Sequence, residues 1–427
     1  MTAATATAGA RRLVDPATIR RQRTFGVFYL ILAVIAALIL PSGIDSGSTS
    51  TFVLKPAGAP GLFDLPNLVV PTQLTMYAIA ILCGALGAVQ LVRGFGSRWA
   101  VVLGLVVVAF VFAFLAWAAA GKSMSLIGIL QLTVQKALPI TFGALSGLLC
   151  ERAGVVNIAI EGMLLSGAFT GAIVGSVTGS NLAGLVAAGL VGLALGGVLA
   201  VLAIRYRVDQ IIAGTVINIF AAGITSFVLA RVLTDHSELN SPERFTQIPI
   251  PVLSSIPIIG PMFFSSNLFL YVLLVLIGLI HYGLFYTRWG LRVRAVGEHP
   301  LAADTAGIDV LWTRYRQVLL GGLVAGIGGA YFTLGSTGSF ERDMTAGRGF
   351  IGLAAMIFGG WTPIGSALAS LVFGFADALQ ARLSILNISV PSEFMLMVPY
   401  LVTIGVVAGL VGRVRMPAAD GRPYDKD

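Results

Sequence analysis

Long apolar runs, separated by short polar connections, recur along this chain. They cover roughly residues 25–40, 68–92, 99–120, 126–149, 155–178, 181–204, 211–233, 267–287, 312–334 and 391–412. A membrane-spanning helix needs about 20 apolar residues, so the pattern predicts about ten transmembrane helices. A further apolar stretch, 349–381, is interrupted by Gly359, Gly360, Pro363 and Gly365 and predicts a re-entrant or broken segment. The expected fold class is therefore an all-α polytopic membrane protein. The first run follows an arginine-containing start and ends without a small-residue cleavage pattern, which predicts a retained signal anchor. Residues 41–67, rich in Ser, Gly and Pro, predict an extracytoplasmic loop.

Composition supports this reading. The 427 residues are 57% hydrophobic and 11% charged, with a mean hydropathy of +0.92; soluble domains carry about 25% charged residues. A water-soluble globule is excluded. In a soluble protein a net charge of +8 would suggest nucleic acid; here it reports the bias of basic residues toward cytoplasmic loops. With the N-terminus inside, 19 basic residues fall in inside segments and 6 outside, which predicts both termini in the cytoplasm. The two cysteines and three scattered histidines show no disulfide or metal-ligand spacing.

Residues 116–123, AWAAAGKS, mimic a phosphate loop, but Ala116 replaces its first glycine and the stretch closes an apolar helix. It is read as a decoy. Small-xxx-small spacings at Gly143–Gly147, Gly171–Gly175, Gly192–Gly196, Gly322–Gly326 and Gly405–Gly409 predict close helix packing.

Two stretches carry more chemistry. In 147–168, GLLCERAGVVNIAIEGMLLSGA, the polar residues are Glu151, Arg152, Asn157 and Glu161. An ionisable group at membrane depth costs at least about 2.5 kcal/mol and marks a functional candidate. Glu151 and Arg152 are expected as an exposed pair at the cytoplasmic end. Asn157 and Glu161 share one face if the segment is helical, either as a clamp between helices or as a pathway lining. Asn218 is a lone amide with the same two readings, and a Lys136–Asp377 pairing is conceivable. In the basic loop 288–316, Pro300 can open and Gly307 can close a short helix. Ala302, Ala303 and Ala306 would give it a smooth face for a cytoplasmic partner, with Glu298 and Asp304 at the rim.

Together these segments resemble the membrane permease subunit of ABC importers, in the superfamily serving branched-chain amino acids, ribose-type sugars and nucleosides. The segment CERAGVVNIAIEGMLLSGAF (150–169) is similar to the nucleoside permeases. VGEHPLAADTAGI (296–308) is similar to the family's coupling segment, with His299 where Asn is usual. GFIGLAAMIFGGWTPIGSALASLVFG (349–374) is similar to its Gly-rich late segment. The resemblance covers about residues 125–415 and leaves the first three spans unexplained.

The chain is therefore expected to divide into a cytoplasmic tail (1–23), a three-helix extension (24–120), the permease core that the resemblance implies (121–415) and a second cytoplasmic tail (416–427). The resemblance implies a multi-pass subunit in the cell membrane that is not itself an enzyme and holds no cofactor. ATP and Mg would be held by separate ATPase subunits, which grip Gly297, Glu298, Pro300, Ala302, Ala303, Ala306 and Gly307. A second, different permease chain would complete the pathway, and an extracytoplasmic lipoprotein would deliver the nucleoside. Nucleic acid is not an expected partner. Asn157, Glu161 and Asn218 would offer polar contacts to substrate, and Phe142, Phe169 and Phe220 an apolar wall. The alternatives are a sugar or branched-chain amino acid permease of the same superfamily, or an ion-coupled secondary transporter, a class that also uses broken helices.

Overall fold

The computed structural model describes residues 16–54, 66–385 and 416–425. Among them, ten helices are long and apolar enough to cross a membrane. Nine coincide with the apolar runs of the sequence. The tenth, Pro363–Ser384, is the second half of the Gly-rich stretch, and the run at 391–412 lies outside the described residues.

The described residues up to Leu126 form one compact unit. Its helices are α1 (Pro16–Val34, continued by a wider turn to Ile39), α2 (Thr72–Val92) and α3 (Trp99–Ala118). Strand β1 (Thr49–Val53) pairs antiparallel with β2 (Leu68–Pro71) and parallel with β3 (Ser123–Ser125). These short strands are an addition to a fold that is mostly helical, as expected. The buried Ser50 hydroxyl fastens them, donating to Ala116 O at 2.6 Å and lying 2.7 Å from the Thr72 hydroxyl. Gly121 turns the chain between α3 and β3, so the Gly-Lys-Ser stretch joins a helix to a strand, the reverse of a phosphate loop.

The second unit runs from Ile127. Its long helices are α4 (Leu126–Glu151), α5 (Ile160–Thr178), α6 (Asn181–Ala200) and α7 (Gln210–Val228). After a loop holding α8 (Ile259–Phe263) and the short pair β4 (Ile248–Pro249) and β5 (Ser265–Ser266) come α9 (Leu268–Tyr286), α10 (Arg288–Glu298) and α11 (Pro300–Thr305). The unit continues with α12 (Val310–Ala330, extended to Thr337 by π-helical turns), α13 (Arg348–Phe358) and α14 (Pro363–Ile385).

Its centre is a close contact of α5, α6 and α12. The Gly192–Gly196 face of α6 meets the Gly322–Gly326 face of α12: a Cβ on Gly192 would sit 2.7 Å from Gly326 Cα, and one on Gly322 would run into the Gly192 carbonyl. Lipid offers no hydrophobic drive between helices, so association depends on this intimate backbone packing. The Gly405–Gly409 spacing lies outside the described residues.

Candidate functional site

The loop between α9 and α12 folds as the sequence predicts. Pro300 opens α11, and Gly307, at φ 80°, turns the chain out of it. His299 Nδ1 accepts from Ala302 N at 3.2 Å, the capping role that an asparagine side chain would fill. The docking face differs from expectation. Gly297 is buried, with the Arg152 carbonyl occupying the place of a side chain. Ala303 is 3% exposed and packs with Val296, Val310 and Tyr424. Both face inward. The outward surface consists of Glu298, Ala302, Ala306 and Gly307, joined by Leu301, while Pro300 is half-buried.

The described tail crosses this loop from behind. Ala419 N donates to Gly297 O at 2.9 Å, and Arg314 Nη1 donates to Arg422 O at 2.9 Å. Tyr424 fills the cluster around Ala303, and Asp425 forms a forked pair with Arg207. Asp420 is 7% exposed. Burial pushes its carboxyl up to about 6, with the positive charge of the Arg314 guanidinium acting in the opposite direction.

Glu151 and Arg152 are not the exposed pair expected. Glu151 is 4% exposed and accepts from Trp361 Nε1 at 2.6 Å. Arg152 Nε donates to Trp361 O at 2.8 Å, and its guanidinium stacks 5.5 Å from the Phe285 ring. Trp361 lies at φ 51° in the tight turn between α13 and α14. Two consecutive side chains thus hold both ends of a residue in a strained conformation.

Asn157 and Glu161 do not share a helical face. Gly154 at φ 84° turns the chain after α4, and residues 155–158 run without helical structure to α5. Asn157 is fully buried against α4, its amide 3.4 Å from Ser146 Oγ. Asn218 bridges α7 to this connection, accepting from Gly162 N and donating to Ile158 O, each at 2.8 Å. Glu161 stands in the first turn of α5 and accepts from Gly347 N at 2.8 Å and Gly349 N at 2.6 Å. Its carboxylate therefore sits at two helix N-termini, those of α5 and α13. Their partial positive charges compensate an anion at membrane depth.

The Gly-rich stretch is broken, as predicted, between α13 and α14. A Cβ on Gly143 would lie 3.7 Å from Gly349 Cα. Gly143 is eight residues before the end of α4, so the N-terminus of α13 lies about 12 Å inside that end at 1.5 Å per residue. On the side away from α11, two cavities of about 640 and 240 Å³ adjoin, sharing Gln135, Tyr331 and Ser336. The smaller is also lined by Lys136, Phe332, Glu341 and Arg348. Arg348, rather than Lys136, pairs with Asp377, at 3.6 Å. None of the predicted pathway residues lines these cavities: Phe142 is fully buried, Phe169 stacks edge-on with Phe340 at 5.2 Å, and Phe220 is 61% exposed. Sequence reading missed Arg348, Tyr331 and Glu341; the signal available was a cation at the opening of a broken Gly-rich helix.

Comparison with known proteins agrees with this architecture. The chain is 39% identical over 307 residues to the guanosine ABC transporter permease protein NupQ of Bacillus subtilis, covering 70% of this chain and 96% of NupQ. It is 39% identical to the nucleoside ABC transporter permease protein NupC of Lactococcus lactis, over 71% of this chain and 99% of NupC. It is 32% identical to the putative glucose ABC transporter permease protein TsgC13 of Haloferax volcanii, over 70% and 98%. No solved structure matches. The model of the family described as branched-chain amino acid transport system / permease component matches residues 128–407, and the chain belongs to that family.

Proposed function

We propose that this chain, a multi-pass permease subunit of an ABC transporter in the cell membrane, imports nucleosides. The observation that carries the reading is the 39% identity to two nucleoside permeases across nearly their whole length. The structure supports it with a broken helix whose N-terminus opens on a polar cavity, since non-helical backbone at membrane depth is tolerated where it is buried in protein or lines water. In this reading the α11 face of Leu301, Ala302 and Ala306 receives an ATPase subunit that binds ATP and Mg, and lies with both termini in the cytoplasm. A second, different permease chain completes the pathway and an extracytoplasmic lipoprotein supplies substrate. ATP binding and hydrolysis shift the pair between outward and inward access through differential binding of the two states.

The test is radiolabelled nucleoside uptake in cells carrying the whole transporter, with unlabelled adenosine, guanosine, uridine, ribose and leucine as competitors. Competition by nucleosides is expected. Competition by ribose or leucine alone refutes the substrate, and uptake that persists without ATP but collapses with the proton gradient refutes the ATP-driven mechanism.

A further inference from the structure

We infer that Lys136 and Arg348 form a donor pair that reads the base edge of the passing nucleoside and favours 6-oxopurines over adenine. This inference rests on the nucleoside reading above. Lys136 lies in the apolar helix α4 and lines the smaller cavity, and it has no hydrogen bond or ion pair among the described residues. Among the described residues the only carboxylate set against it is Asp377, which Arg348 already shares. A cation so weakly compensated at membrane depth is expensive unless something that visits the cavity rewards it. Arg348 lines the same cavity, with one arm donating to Thr345 O at 3.2 Å and another 3.6 Å from Asp377. Two cations therefore face one inner carboxylate, with Glu341 on the same lining. An ammonium offers three donors and a guanidinium five. The wall holds more donors than its own acceptors can satisfy.

An arginine or lysine recognises neighbouring acceptors such as O6 and N7 of guanine, whereas adenine sets an N6 donor beside N7. The two cations therefore match the 6-oxopurine edge and oppose the adenine edge. Phe332 adds an aromatic surface: it lines the cavity and lies 5.9 Å from the Arg348 guanidinium. Bases stack on such rings without regard to identity, so Phe332 serves every nucleoside and the cations discriminate. Arg348 is placed for this by its neighbours. Both oxygens of Glu161 hold the amides of Gly347 and Gly349, either side of it. A Cβ on Gly349 would lie 2.6 Å from Glu161 N, so only glycine permits the grip. Glu161 is a positioning residue for Arg348.

The experiment compares initial uptake rates of guanosine, inosine and adenosine by the whole transporter, with wild type, Lys136→Met, Lys136→Arg and Arg348→Gln. The binding protein is constant, so a change in the ratio between nucleosides reports the permease. Lys136→Met should lower guanosine and inosine uptake at least about fivefold relative to adenosine, since one good base contact discriminates by about 1–3 kcal/mol. Lys136→Arg should restore the ratio. Because Lys136 makes no hydrogen bond among the described residues and Asp377 keeps Arg348 at 3.6 Å, its methionine variant should assemble normally, as size-exclusion of the purified complex would report. An unchanged ratio in both Lys136→Met and Arg348→Gln, including equal loss for all three nucleosides, overturns the inference while leaving nucleoside import standing. A wild-type transporter that takes up none of the three overturns the functional reading itself.

Discussion

Replacing Glu161 separates a residue that holds the broken helix from one that touches substrate. Its carboxylate accepts from Gly347 N at 2.8 Å and from Gly349 N at 2.6 Å. Hydrogen bonds to a charged group contribute about 1.5–3 kcal/mol each. Glu161→Ala removes both, a loss of roughly 3–6 kcal/mol before relaxation. Glu161→Gln keeps the shape but offers one carbonyl oxygen, and its amide group meets the second N–H donor to donor. One bond is lost, for about 1.5–3 kcal/mol, and the lower end applies because Glu161 is only half-buried. The assay is thermal unfolding of the detergent-solubilised complex beside uptake by the same variants in cells. The expected order of stability is wild type, then Gln, then Ala, with uptake declining in the same order. A Glu161→Gln complex as stable as wild type but unable to transport would refute the clamp and place the carboxylate in contact with substrate.

Three further outcomes follow from the same geometry. Ala302→Arg, on the exposed face of α11, should abolish ATPase association and leave the purified chain stable. Ala303→Arg should destabilise it first, because that methyl group is buried among Val296, Val310 and Tyr424; pull-down of the ATPase and thermal melting distinguish the two. Gly322→Leu should prevent a stable fold, measured as loss of monodisperse protein on size-exclusion, because its Cβ would meet the Gly192 carbonyl of a facing helix. Docking of the tail should tighten as pH falls from 7 toward 4: the Asp420 carboxyl, raised from 3.8 to about 6 by burial, keeps in the docked state a proton that the free tail releases over that range. Hydrogen exchange of the Ala419 amide, corrected for its intrinsic pH dependence, should show this slope in wild type and a reduced slope in Asp420→Asn, where the facing Glu151 carboxyl remains.

What the sequence reveals about this chain is largely local. Hydrophobic runs of bilayer length specify nine of the described spans because in lipid each helix satisfies its own backbone. Pro300 and Gly307 mark α11 because the constraints they obey, a fixed φ and a left-handed turn, act within a few residues. The glycine pairs at 192–196 and 322–326 announce packing faces, yet nothing local says that they face each other. The failures share that cause. Glu151 and Arg152 look like a solvent-facing pair until Trp361, more than 200 residues away, supplies the partner for both. The i,i+4 spacing of Asn157 and Glu161 suggests one face, but Gly154 turns the chain and the helix starts only at Ile160. Glu161 finds its partners at Gly347 and Gly349, and those are amides, which no side-chain pattern displays.

The short connection between α4 and α5 joins the two ends of the unit. At one end, Gly297 in the last turn of α10 lies against the Arg152 carbonyl so closely that a methyl group has no room. Arg152 also grips the Trp361 carbonyl, at the far end of α13. Nine residues after Arg152, Glu161 grips the amides at the start of that same helix. Helix α13 is therefore held at both termini by one stretch of chain, and Arg348 on its first turn stands on the cavity wall. Packed interiors are close to crystalline in density and transmit displacement instead of absorbing it. Contacts thus run from Gly297 to both ends of α13 through a backbone approach, two charge-assisted hydrogen-bond pairs and eleven residues of helix. The glycines at 297 and 349 serve these contacts. Each removes a side chain where backbone meets backbone, so the residue usually associated with flexibility here makes the contact tight, while Gly347 supplies the left-handed turn, at φ 77°, that leads into α13.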